Sequence, residues 1–148
     1  MLKPAELAPG RHFERMGMEL VQASFNAFGK LHGTDVPIHI DPEYAAKTPF
    51  GGTIAHGMML LAFFETWLCA LFGESAWDRG GHFQGKLLGV AKVGDPLLYA
   101  MDVTAADSAR ASLALSLRSG ERLLAVGEAT IQFHTEAGST AAGSTENE

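Results

Sequence analysis

From Glu19 to Leu31 the chain reads "ELVQASFNAFGKL", with Leu20, Ser24, Phe25, Phe28 and Leu31 near helical spacing and Gly33 placed to stop the run. One amphipathic helix is predicted there. A short helix is predicted over "DPEYAAK", Asp41 to Lys47: Asp41 suits the cap, Pro42 suits the first helical position, and Thr48, Pro49, Gly51 and Gly52 break the run. Thr53 is the predicted cap of a third helix, "IAHGMMLLAFFETWLCALF", which is apolar around nearly its whole circumference. Such a helix has to be enclosed rather than laid on a surface.

Beyond Gly80 the period changes. "HFQGKLLGVAKV", "PLLYAMDVTA", "RASLALSLRS" and "RLLAVGEATIQFHT" are strand-length runs separated by turn signals "GD", "ADS" and "SGE". Leu97, Tyr99, Met101 and Val103 share one face, as do Leu113, Leu115 and Leu117, and then Ala125, Gly127, Ala129, Ile131 and Phe133. Consecutive strands joined by short turns predict an antiparallel sheet with one face free to cover the apolar helix. The expected class is α+β, a curved antiparallel sheet of about five strands wrapped around one long apolar helix. One helix does not cover that sheet to its edges, and an unpaired edge strand predicts a homodimer in which edges meet. Residues 1–10 read as a loosely held arm, 11–134 as a single domain, and "TEAGSTAAGSTENE" over 135–148 as a disordered tail.

The 148 residues fit one domain, and the formal net charge of -6 argues against non-specific nucleic-acid binding, since no basic excess displaces counterions. A single cysteine, Cys69 within an apolar run, cannot form an internal disulfide and points to a reducing compartment and core packing. "MLKPAELAPGRHFERM" lacks the apolar core of a signal peptide. The stretch Ile54 to Phe72 reaches the lower length limit of a membrane span but contains His56, Gly57 and Glu65, with no basic residue close on either side. A cytoplasmic protein with no membrane partner is the expectation.

The chemistry is concentrated in "GTDVPIHIDPEYAAKTPFGGTIAHGMM", Gly33 to Met59, which sets Asp35, His39 and His56 around turn signals just before the most apolar segment. Taken singly, His39 and His56 each read as hydrogen-bonded structural histidines, and Asp41 and Glu43 as capping and dipole residues. Glu65 reads as paired or solvated, and Met58, Met59, Phe63 and Phe64 as lining either a tunnel or merely the core. A metal site from His32, Asp35 and His39 matches neither the i, i+4 helical pair nor a Cys/His cluster. Neither a phosphate-binding Gly-rich turn nor a "GxSxG" elbow is present.

Read together, "FGKLHGTDVPIHIDPEYAAKTPFGGTIAHGM" from Phe28 to Met58 resembles the MaoC-like hydratases and dehydratases, also called (R)-specific enoyl-CoA hydratases. "KVGDPL" at Lys92 to Leu97 looks like that family's turn between strands. The resemblance implies a hot-dog fold and a cofactor-free hydro-lyase acting on an acyl-CoA or acyl-carrier thioester. Gly33, Pro37, Ile38, His39 and Asp41 match the family motif by position. His39 then carries over as a catalytic acid/base, and Gly57 in "AHGM" as the N–H that holds the thioester oxygen, with His56, Met58 and Phe63 beside the substrate. The family's catalytic Asp falls on Thr34 and its Asn on Val36. Asp35 stands one residue late, so either a loop one residue shorter brings it to the usual place or the carboxylate role is lost. The first alternative is favoured, with Asp35 as the water-activating base, because no other acid lies as close to His39 on its N-terminal side.

The chemistry implied is addition of water across a 2-enoyl thioester to give the (R)-3-hydroxy product, or its reverse. It needs a base for the water, an acid for C2, and a donor for the charge on the thioester oxygen. Two rivals stand beside it: an acyl-CoA thioesterase on the same fold, and a non-catalytic thioester-binding subunit made so by Thr34 and Val36.

Overall fold

Strands β1 (His12–Met16), β2 (His82–Leu87), β3 (Leu98–Ala106), β4 (Arg110–Ser119) and β5 (Arg122–Gln132) form one antiparallel sheet in the order β1-β3-β4-β5-β2. This computed structural model describes residues 1–133, so the tail expected over 135–148 lies outside the described residues. The alternation read from the sequence is the burial pattern: Tyr99, Met101 and Val103 on β3 and Leu113, Leu115 and Leu117 on β4 are buried together with Ala129 and Ile131 on β5. This face packs on the helix α4 (Gly57–Phe72), which buries Met59, Leu60, Leu61, Phe64, Trp67, Leu68 and Phe72. The architecture is the hot-dog fold. Each large apolar side chain buried there contributes about 1.5–3 kcal/mol.

Tyr99 ties helix to sheet. Its fully buried ring meets Phe64 edge-on at 4.9 Å, and its hydroxyl donates to the Leu60 carbonyl at 2.8 Å. Gly17 makes room for that ring, because a Cβ there would run into it.

Four findings differ from the expectations. β1 was not legible, because only Phe13 of its five residues is even partly buried and no alternation marks the strand. β2 stops at Leu87: Leu88 and Gly89 both donate to Leu124, and the chain then swings to pair Ile54 with Lys92 and Ala55 with Ala91. α4 begins three residues later than expected, because residues 53–56 are held extended by those contacts, and the Thr53 hydroxyl donates to Gln22 at 2.6 Å instead of capping. Nor is α4 enclosed all round: Met58, Ala62, Glu65, Thr66 and Ala70 leave one stripe open. Glu65 is paired there, accepting from the Trp77 indole at 3.0 Å, and Trp77 lies in α5 (Glu74–Asp78).

Residues 1–10, read as an arm, run against the domain. Leu7 is buried, Leu2 N–H donates to Leu71, and Gly10 N–H donates to Val103. No helix among the described residues is long and apolar enough to cross a membrane.

Removing the Tyr99 hydroxyl tests the helix-to-sheet tie. Tyr99→Phe is expected to cost about 1 kcal/mol of unfolding free energy, read as a lower urea midpoint with an unchanged slope.

Candidate functional site

A glycine inside a helix starts the site. In α1 (Gln22–His32) the interior Gly29 is buried, and a Cβ on it would sit 3.0 Å from the Asp35 backbone and 3.2 Å from the His56 ring. An alanine there would gain about 1 kcal/mol of helix propensity, so the glycine is kept for close approach. The helix ends at Gly33, in the left-handed region at φ 66°, and the Gly29 carbonyl accepts from both Gly33 and Thr34. Val36 is extended, as a residue before proline tends to be, and Pro37 opens the one-turn helix α2 (Pro37–Ile40) that carries His39. Gln22 braces that turn by donating to the His39 carbonyl at 2.8 Å. Asp41 caps the next short helix, α3 (Pro42–Ala46), accepting from Glu43 and Tyr44.

Two imidazoles meet at the end of this path. His39 Nδ1 lies 2.7 Å from the Ile54 carbonyl. A carbonyl only accepts, so Nδ1 carries the hydrogen and Nε2 keeps the lone pair in the neutral ring. His56 Nε2 donates likewise to the Thr34 carbonyl at 3.0 Å, and its Nδ1 is buried without a partner among the described residues. The rings stack, with centroids 3.9 Å apart and planes 26° from parallel. Phe28 closes on His56 at 5.0 Å and on His32 at 4.2 Å.

These side chains wall an apolar cavity of about 370 Å³, to which Thr34, Gly57, Met58 and Ala62 also contribute. A second hollow of about 340 Å³ shares His39 and Gly57 and is bounded by Leu87 to Val90. Gly57 is the first residue of α4, and its N–H, which has no intrahelical acceptor, makes no hydrogen bond among the described residues. The space beside its Cα is taken by the tip of Leu87, which a Cβ at position 57 would strike.

The structure therefore brings His39, His56, Gly57 and Met58 to one cavity, Met58 at 69% exposure on its rim. It does not bring Asp35 there. Asp35 is exposed, its carboxylate makes no hydrogen bond among the described residues, and Thr34 is the loop residue on the wall. Phe63 also faces elsewhere, against Tyr99 at 4.4 Å with the Arg15 guanidinium over its ring. Phe28 and Gly29 were not singled out from the sequence as site residues, His32 entered only as a metal-ligand candidate, and Thr34 entered only as a departure from the family motif. The one available signal was a glycine interrupting a helical pattern.

The chain is similar to known proteins in both sequence and fold. A family model described as the MaoC like domain matches residues 4–116. The (R)-specific enoyl-CoA hydratase of Aeromonas caviae is 30% identical over 125 residues, 80% of this chain and 90% of that one. A 3-hydroxyacyl-thioester dehydratase Z of Mycobacterium tuberculosis is 51% identical over 43 residues, 29% of this chain and 28% of that one. The R-hydratase PhaJ1 of Pseudomonas aeruginosa, solved unliganded, superposes with a TM-score of 0.76 at 25% identity, covering 87% of this chain and 83% of that one.

Burial lowers the proton affinity of His56, with His39 and His32 nearby opposing a second positive charge and the Thr34 bond acting the other way. On β1, His12 is pushed the opposite way by hydrogen bonds to Asp102 at 2.6 Å and Glu14 at 3.1 Å. The signs follow from linkage. The unfolded chain protonates its imidazoles near pH 6.5, so His56 contributes stability above that pH that is lost as pH falls towards its lowered folded value. His12 contributes stability below about pH 6.5 that is lost as pH rises through its raised value, weakened by its exposure to solvent. The stability advantage of wild type over His56→Phe is therefore expected to shrink between about pH 7 and pH 5, and that over His12→Gln to grow, in urea titrations at each pH.

Proposed function

The chain belongs to the MaoC-like domain family, and we propose on that premise that it is a hydro-lyase acting on 2-enoyl and (R)-3-hydroxyacyl thioesters, with acyl-CoA as the substrate carrier. The observation that carries this reading is the His39 Nδ1–H bond to Ile54, which leaves Nε2 unprotonated on a ring that shares its cavity with the unspent N–H of Gly57.

In the hydration direction, His39 Nε2 takes a proton from water as the water oxygen bonds to C3. The alkene electrons shift through C2 to the thioester oxygen, whose charge the Gly57 N–H receives. The proton on Nε2 then goes to C2, and the charge returns to close the carbonyl. Water is added, no redox change occurs, and His39 ends as it began. A well-placed acid/base contributes about 10²–10⁴ in rate, and an oxyanion donor roughly 3–4 kcal/mol. The amide at the start of α4 also carries the positive end of the helix dipole.

Both proton transfers are assigned to His39. The base role expected of Asp35 is not retained, because its carboxylate is exposed and off the cavity wall. The same observation favours a second reading, a thioester-binding subunit without turnover, since Thr34 stands where the family motif has its acid. The protein is proposed to work in the cytoplasm as a homodimer, whose contact takes up the exposed β2 edge with Leu87 and Leu88, each close to half exposed. Sedimentation at the mass of two chains rather than one checks the pairing.

With crotonyl-CoA, wild type is expected to consume enoyl absorbance without releasing thiol, which separates hydration from thioester hydrolysis. His39→Ala is expected to lose about 10²-fold or more of that rate. Asp35→Asn should remain near wild type, and Thr34→Asp should raise the rate by placing a carboxylate on the cavity wall. A wild type that binds crotonyl-CoA without turnover, joined by an active Thr34→Asp, would establish the second reading instead.

A further inference from the structure

His56 is 4% exposed and occupies the N-cap of α4, yet it does no capping: its side chain bonds none of the helix's first amides. Serine, threonine, aspartate or asparagine at that position would accept from the second or third amide of the helix, and aspartate would add a negative charge. Either would spend amides adjacent to that of Gly57, or oppose an anion, beside the place where the thioester oxygen is proposed to sit. A histidine that turns inward leaves those amides free.

The inward ring has two distinct contacts. Its Nε2–H reaches the Thr34 carbonyl at 3.0 Å, which fixes the loop between α1 and α2. Its face lies on His39 at 3.9 Å. Its other nitrogen, Nδ1, is buried and has no hydrogen-bond partner among the described residues, so a proton there would find no acceptor among them. The neighbouring titratable groups, His39 from α2 and His32 from α1, both disfavour a further positive charge. His39 differs in this respect: its Nδ1–H is already held by Ile54, and its Nε2 is free to take a proton.

We propose that His56 is the positioning residue of the site: locked as the Nε2–H tautomer, it presents a ring face that orients His39 while its N–H holds Thr34, so that base and loop are set by one side chain. Only the kinetic consequence rests on the hydro-lyase reading, since the tautomer and the stack are properties of the resting protein. One ring of the pair is built to change charge during turnover and the other is built never to do so. A positively charged His56 would raise the free energy of protonated His39 at the moment the mechanism requires it.

The test has a structural arm and a kinetic arm. Nitrogen-15 NMR of the histidine rings in the intact wild type should show His56 as the Nε2–H form and His39 as the Nδ1–H form. His56 should stay neutral at about pH 6, below the ordinary imidazole midpoint. A tautomeric mixture at His56, or its protonation at that pH, overturns the proposal whether or not the protein turns over any substrate.

In crotonyl-CoA hydration, His56→Gln keeps a donor for Thr34 but removes the ring, and should lower kcat on the order of 10²-fold with KM little changed. His56→Phe restores a ring face under His39 without the donor, and should recover much of that loss. Wild-type kcat in His56→Gln, or a folded His56→Phe as slow as His56→Gln, removes the orienting role of the ring. If the NMR result holds while the wild type shows no hydration, the proposed reaction fails and the arrangement of the two rings stands.

Discussion

The carbonyl of Ile54 can only accept a hydrogen bond, and its 2.7 Å contact with His39 Nδ1 decides which nitrogen of that ring retains a lone pair. The contact exists because residues 53–56 run extended beside α2 before the long helix begins. Ala55 is held by Ala91, Ile54 by Ile38, and Thr53 by Gln22. Had α4 started at Ile54, that carbonyl would have been spent inside the helix, and no fixed acceptor would meet the histidine. The late helix start is thus the condition on which both the orientation of His39 and the freedom of the Gly57 amide depend.

The same segment sets a balance between stability and chemistry. A buried imidazole with one unbonded nitrogen and a helix N-terminus without a side-chain cap each cost free energy relative to simpler choices. The interior glycine of α1 adds to that cost. These costs fall within one contiguous cluster, whereas the sheet and the inner face of α4 follow ordinary rules of alternation and burial. Departure from those rules is concentrated where the proposed reaction needs it.

Most of the architecture was legible in the sequence because it rests on periodicity. Leu113, Leu115 and Leu117 alternate as a half-buried strand must, and the apolar run after Gly57 is long enough to require cover. β1 was not legible, since an exposed edge strand carries no alternating pattern. The family motif located His39 and Gly57, which the structure places on one cavity. Apolar spacing along a helix does not say which neighbour takes each side chain, and the structure sets Phe63 against Tyr99 and Arg15. Asp35 and Thr34 show the limit of motif reading. One position decides which of two adjacent side chains reaches the cavity, and the hydrogen bonds that Gly33 and Thr34 donate to the Gly29 carbonyl, with the one His56 donates to the Thr34 carbonyl, settle how the loop turns.

Leu87 covers Gly57, and it is the last residue of β2, an edge strand with only Phe83 even partly buried. The back wall of the site is therefore built from an edge strand of the sheet. Fraying of that strand from its Leu87 end would let solvent reach the first turn of α4 while the interior of the sheet stayed zipped. How well water is excluded from the site thus depends on how tightly its outermost strand is clasped.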